Sequence, residues 1–277
     1  MTGDSTPISQ EPAGIDANVA HASRVYDYLL GGVTNFEVDR AAANHLADAL
    51  GGFDIAEAHV RANRWFLVQA VEHLADAGIR QFLDIGTGVP NDTNTHVVAQ
   101  RRAPEARVVC VDNDPIVLAH AHQLFRSTPE GSAAFIDGDI RKPRAILAEA
   151  AGTLDFNQPV AVMLVAIVHA VGDHDNRKDL VTTLVDAAPP GSYLAMTHLA
   201  SDINPAETAE ATRRLNQASR ETYVAASTDE FARYFDGLDL VGPGITRVDQ
   251  WGTQEADASA IVAPFHAAVA RKPSPVL

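Results

Sequence analysis

From Ile79 onward the chain alternates short apolar runs with amphipathic segments, and no other feature narrows its choice of fold as much. The runs are "IRQFLDI", "ARVVCVD", "SAAFIDGD", "PVAVMLVAIV" and "GSYLAMTH". Between them stand "DTNTHVVAQRR", "DPIVLAHAHQLFR", "KPRAILAEA" and "NRKDLVTTLVDAA", which carry helical spacing. Runs that are apolar throughout belong to strands buried on both faces, hence to a parallel sheet between two layers of helices. Right-handed crossovers bring the carboxyl ends of such strands to one edge, where ligands bind.

The flanking segments read differently. "IDANVAHASRVYDYLLGG", "NFEVDRAAANHLADALGG" and "DIAEAHVRANRWFLVQAVEHLADAG" are three expected helices, ended by Gly31-Gly32, Gly51-Gly52 and Gly78. Asn35 is the expected N-cap of the second and Asp54 the opener of the third. After the fifth strand, "NPAETAEATRRLNQASRETYVAA" and "STDEFARYFDG" are helical. "LDLVGPGITRV" and "ASAIVAPFHAAVARK" then form an antiparallel hairpin, although Pro264 cannot donate within a ladder. The expected fold is α/β: a doubly wound, mostly parallel sheet of seven strands with an antiparallel C-terminal hairpin. The expected divisions are a disordered tail over 1–14, a helical cap over 15–78 and a ligand-binding domain over 79–277.

Composition excludes several function classes. No run approaches the roughly 18 apolar residues of a membrane span, and no signal peptide opens the chain. The single cysteine, Cys110, lies in an apolar strand and supports neither a disulfide framework nor a thiolate zinc site. These features suit a cytoplasmic protein. A net charge of −15 argues against a nucleic-acid partner and leaves a small molecule, or a second copy of the chain, as the expected company.

The first strand leads into "DIGTGVP". Glycines at alternate positions let the backbone turn tightly and approach a ligand, and a helix near Asp92 or Thr93 adds its free N–H groups. A dinucleotide fingerprint needs a third glycine where Asn91 stands. Asp84 would also repel a pyrophosphate, but attracts an ammonium or sulfonium. Asp112 ends the second strand 28 residues on, where a carboxylate can accept both hydroxyls of a ribose. Asn113 and Asp114 suit a turn and a helix cap before Pro115. Asp139 follows the third strand and suits an exocyclic amine, with Ile140 as an apolar wall.

The ordered set "LDIGTG", "VDND", "DGDI" resembles a class I S-adenosylmethionine-dependent methyltransferase. "RVYDYLLGGVTNFEVDRAA", "ANRWFL", "GIRQFLDIGTGVP", "ARVVCVDNDPIVLAHA" and "PPGSYLAMTHLASD" narrow the resemblance to the actinobacterial S-adenosyl methyltransferase family, formerly a domain of unknown function. It implies a Rossmann-like fold with an N-terminal helical addition, and S-adenosylmethionine as cofactor. Asp84, Gly86, Thr87 and Gly88 would hold the methionine part, Asp112 with Asn113 the ribose, and Asp139 with Ile140 the adenine. Ala166 would complete the wall. "AIVHAVGD" departs from the "LHFVPD" common among relatives.

His169 is the candidate to orient an acceptor or take its proton, given the near-neutral pKa of an ordinary histidine. "GDHDN" is explained by turn chemistry, and no metal site is expected. Arg24, Tyr26, Tyr28, Asn35 and Arg64 in the N-terminal helices, with His198, are candidate lid or substrate contacts. The expected reaction is in-line methyl displacement onto a small molecule. A cofactor-binding accessory protein is the alternative, and a nicotinamide-dependent oxidoreductase is disfavoured.

Overall fold

The computed structural model describes residues 16–124, 126–172, 176–252 and 262–274. The expected tail over 1–14, the "DHD" at 173–175 and most of "ASAIV" lie outside them. Three helices come first: α1 (Ala22–Leu29), α2 (Glu37–Leu50) and α3 (Phe53–Asp76). Then follow β1 (Gln81–Ile85), α4 (Thr95–Arg102), β2 (Arg107–Asp112), α5 (Pro115–Leu124), β3 (Ser132–Asp137) and α6 (Pro143–Ala150). The second half holds β4 (Ala161–Leu164), α7 (Arg177–Asp186), β5 (Tyr193–Leu199), α8 (Pro205–Ala218), α9 (Thr228–Ala232), β6 (Asp239–Arg247) and β7 (Phe265–Arg271).

The seven strands form one sheet in the order β3-β2-β1-β4-β5-β7-β6. β7 runs antiparallel to both neighbours, so the other six strands share one direction. The order reverses between β1 and β4, and a crevice opens at such a switch point above the strands' carboxyl ends. Period two sorts the strand side chains. Phe82, Val108 and Cys110 pack with α3 and α4 on one face, whereas Leu83, Val109 and Val111 pack with α6 and α7 on the other. Cys110 is buried as expected, which pushes its thiol far above the ordinary range. A third apolar cluster joins α1, α2 and α3 through Leu29, Ala43 and Val60. Among the described residues, no helix is long and apolar enough to cross a membrane.

Several boundaries differ from expectation, each for a local reason. α1 starts at Ala22, with His21 in extended backbone at the cap position. Asn35 does not cap α2: the Asp39 carboxylate reaches back to the Phe36 N–H at 2.8 Å, while Asn35 Nδ2 donates to Asp27 and to the Gly32 carbonyl. α3 begins at Phe53, one residue before Asp54, and α4 begins only at Thr95. β4 stops at Leu164. Ala166 then takes a left-handed φ of 57°, held by a 2.9 Å bond from its N–H to Thr197 Oγ1. α8 ends at Ala218 because the Asn216 side chain brackets the backbone of Tyr223, accepting from its N–H and donating to its carbonyl. Pro264 sits one residue before β7, where no ladder donor is needed.

Candidate functional site

A cleft of about 1720 Å³, its open mouth included, lies over the carboxyl ends of the strands. Its floor comes from the turns after β1, β2, β3 and β4, and its roof from α1, α3 and α8. Gly86 and Thr87 both donate to the Val111 carbonyl, at 2.8 and 3.1 Å, tying the glycine loop to β2. Gly86 and Gly88 have φ of 79° and 71°, where an L side chain is strained. A Cβ on Gly86 would also stand 2.9 Å from Ile167, whereas one on Gly88 would meet nothing.

Gly86, Thr87, Gly88, Asp112, Asn113, Asp139, Ile140 and Ala166 all line this cleft. Asp84 does not. It is buried beneath the loop, where its Oδ2 accepts from Thr87 Oγ1 at 2.8 Å, and burial raises its pKa. The Asn94 amide fixes the same loop by donating to the Thr87 carbonyl at 3.0 Å. Asp112 accepts from the Gly88 N–H at 2.8 Å and from the Asp114 N–H at 3.0 Å, and burial raises its pKa as well. A carboxylate has about four acceptor positions, so roughly two remain. Asp139 accepts from the Arg141 N–H at 2.9 Å and from its guanidinium at 3.2 Å.

Of the expected lid contacts, Tyr26 and Arg64 line the cleft, with the Arg64 guanidinium 5.5 Å from the Tyr26 ring centre. Arg24, Tyr28, Asn35 and His198 do not line it. Arg24 is buried between Asp39 and Asp114, with Nε at 3.6 and 3.3 Å from them, and donates to the Val19 carbonyl. Tyr28 packs edge-on against Phe53. His198 is fully buried against Tyr234, with Nδ1 2.9 Å from the Leu199 carbonyl, and burial lowers its pKa to about 4.

His169 lines the cleft, but the near-neutral pKa expected of it is corrected. Burial, with the neighbouring His198, pushes it well below 6.5. Its Nδ1 accepts from the Leu199 N–H at 3.4 Å, so its remaining proton sits on Nε2 and that nitrogen offers no lone pair. Among the described residues, no group of three histidine, cysteine or carboxylate side chains is placed to hold a metal.

Sequence reasoning missed the strap before α1. Asp114 caps α5 through the Ile116 N–H as expected, yet its second oxygen also faces Ser23 Oγ at 2.9 Å and His21 Nδ1 at 3.0 Å. His21 Nε2 stands 3.8 Å from Glu221, and Ala20 bridges Ser219. Burial opposes charge on His21, but Asp114 and Glu221 outweigh it and raise the pKa. Burial likewise opposes charge on Asp114, and His21 outweighs it, holding the carboxyl below its ordinary range. Partners 91 residues apart leave no local sequence signal. His59, Glu221 and Tyr223 also line the cleft and were not singled out for the same reason.

The S-adenosyl methyltransferase family model matches residues 8–273. A crystal structure of a DUF574 family protein from Streptomyces avermitilis MA-4680 is 40% identical, covering 93% of this chain and 99% of that one, with a TM-score of 0.88. A candidate methyltransferase from Thermobifida fusca YX is 37% identical over 95% of this chain and 98% of its own, with a TM-score of 0.85. An O-methyltransferase family protein from Burkholderia thailandensis, 15% identical over 80% of this chain and 61% of that one, shares the fold with a TM-score of 0.52. No curated protein matches. With that family model spanning nearly the whole sequence, the chain belongs to the S-adenosyl methyltransferase family and is an S-adenosylmethionine-dependent methyltransferase.

Proposed function

We propose that this cleft holds S-adenosylmethionine along the ends of β1, β2 and β3 and transfers its methyl group to a small molecule held beneath α1, α3 and α8. The observation that carries the reading is Asp112, a buried carboxylate at the tip of β2 with acceptor positions left over beside an open glycine loop. The donor set fits the group. Its floor carries Asp112 and Asp139, the latter paired with Arg141, which suits a cationic nucleoside without phosphate better than a pyrophosphate. A side chain at Gly88 would enter space that the cofactor needs.

When bound, the cofactor supplies an electrophilic methyl, and the residues of this chain bind, orient and exclude water. Asp112 accepts the ribose hydroxyls, with Asn113 beside it. Asp139 and Ile140 bracket the adenine, and Ala166 closes the wall at β4. Asp84 acts through the loop it pins, by fixing Thr87. Arg64 supplies positive charge for the carboxylate of the amino-acid portion, since it lines the cleft and its Nε has no partner within the protein. His169 serves as a neutral wall and positioning group. The apolar side chains of Leu29, Leu199 and Phe265 keep water from the reacting atoms.

Calorimetric titration of the full chain tests this reading. S-adenosylmethionine and S-adenosylhomocysteine should bind one to one, and NAD should not. NAD binding without either of the others would contradict it. Within the same reading, Arg64→Ala should weaken S-adenosylhomocysteine about tenfold while leaving adenosine unchanged. Equal losses for both ligands would remove Arg64 from the carboxylate end.

A further inference from the structure

Besides Arg64 Nε, two polar atoms on α3 residues that line the cleft are buried and have no partner within the protein. His59 and Asn63 stand one turn apart on α3, are 5% and 1% exposed, and both line the cleft. His59 Nδ1 and Asn63 Oδ1 make no hydrogen bond. A buried polar atom left so costs free energy, and each such atom asks for a partner.

The surrounding bonds fix what these atoms are. Tyr26 Oη donates to the Val60 carbonyl at 2.9 Å, so it must accept from Asn63 Nδ2, also at 2.9 Å. That orients the amide and leaves Oδ1 as the free acceptor. His59 bonds the backbone of Val262. A bond to that carbonyl requires a ring N–H, which falls to Nε2 and leaves Nδ1 a lone pair. Burial lowers the His59 pKa to about 4, so the ring is neutral at pH 7. Both atoms are therefore hydrogen-bond acceptors, and neither suits an anion.

His59 lies toward the far end of the cleft from Asp112, while Asn63, bonded to Tyr26 beside Arg64, stands between. Val262 lies three residues before Phe265, which opens β7 and pairs with Leu199 at the end of β5. Asp112 is at the end of β2, beyond β1 and β4 in the strand order. At roughly 4.8 Å per strand the two regions are about 14–19 Å apart. The cleft walls carry apolar side chains, including Val60, Leu67, Leu199 and Phe265, beside the polar His169, Glu221 and Tyr223.

Building on the methyltransferase reading, we infer that His59 Nδ1 and Asn63 Oδ1 select the methyl acceptor: a neutral, largely apolar molecule that donates a hydrogen bond from a hydroxyl or amine. A group without a donor leaves both atoms unpaired, so the site discriminates against ethers and tertiary amines of the same shape.

The test uses the full chain saturated with S-adenosylhomocysteine, titrated with p-cresol and 4-methylanisole, and with cyclohexylmethanol and its methyl ether. The hydroxyl compound of at least one pair should bind about tenfold or more tightly than its ether, with a shift of the His59 Nδ1 resonance in ¹⁵N spectra. His59→Phe and Asn63→Leu should each abolish that preference, and His59→Gln, which returns an acceptor oxygen, should restore part of it. S-adenosylhomocysteine affinity should stay within about twofold throughout. Equal binding within both pairs, or binding of neither pair, overturns the inference. So does a loss of S-adenosylhomocysteine affinity in the variants, which would assign the two acceptors to the cofactor. If S-adenosylhomocysteine does not bind the unaltered chain, the methyltransferase reading itself fails, and that outcome is separate from the others.

Discussion

Asp112 joins two tasks in one carboxylate. It receives the Gly88 and Asp114 N–H groups, which shapes the loop, and it keeps acceptor capacity for a ligand in the cleft. Asp112→Ala should therefore weaken S-adenosylhomocysteine by roughly 10- to 100-fold, the cost of losing hydrogen bonds to a charged group. An unchanged affinity by calorimetry would remove Asp112 from the site. The two loop glycines should separate stability from binding. Gly86→Ala meets Ile167 and a left-handed φ, so its main effect is a stability loss of about 1–3 kcal/mol in urea unfolding. Gly88→Ala carries the backbone strain alone, and its methyl enters open space, so ligand affinity should fall more than stability. The reverse order would mean that the loop does not face the ligand as described.

At the scale of elements, α1 is held by a charged latch rather than by its cap alone. His21 faces Asp114 and Glu221, with Asp112 also within electrostatic reach, and Arg24 adds a second cation against Asp114. His21 has a raised pKa, so its contribution is fully present below 6.5 and is lost as pH rises through the higher folded value. Asp114 has a lowered pKa, so its contribution is present above 3.8 and is lost as pH falls through the lower folded value. The latch is strongest between these limits. Amide exchange across Ala22–Leu29, corrected for intrinsic rates, should accelerate between pH 6 and pH 9, and His21→Ala should remove that dependence. A pH dependence surviving in the variant would place the titrating group elsewhere.

At the scale of the whole molecule, the sheet was legible because burial on both faces leaves apolar runs that helices cannot mimic at that length. The central strands appear where those runs stand, while the outer β3 and β6 are only partly buried, and Asp112 at the end of β2 and Asp139 just after β3 reach one cleft because parallel topology brings them to one edge. β4 was misjudged because "VAIV" is as apolar as a strand. Only Thr197, on a neighbouring strand, turns the chain aside at Ala166. Asp84 and His198 carry polar signatures that fit a pocket or a core equally, and only packing assigns them to the core side. The strap at His21 and the acceptors on α3 depend on partners distant in sequence, which periodicity does not encode.

The central claim is that one continuous cleft, floored by the turns after β1, β2, β3 and β4 and roofed by α1, α3 and α8, holds the cofactor. Hydrogen exchange of the full chain with and without S-adenosylhomocysteine tests it most directly. The account predicts slowed exchange at Gly86–Val89, at Asp112–Asn113 and at Gly138–Ile140, with little change along the outer strand β6. Unaltered exchange at Gly86–Val89 under saturating ligand, or protection confined to another face, would contradict it.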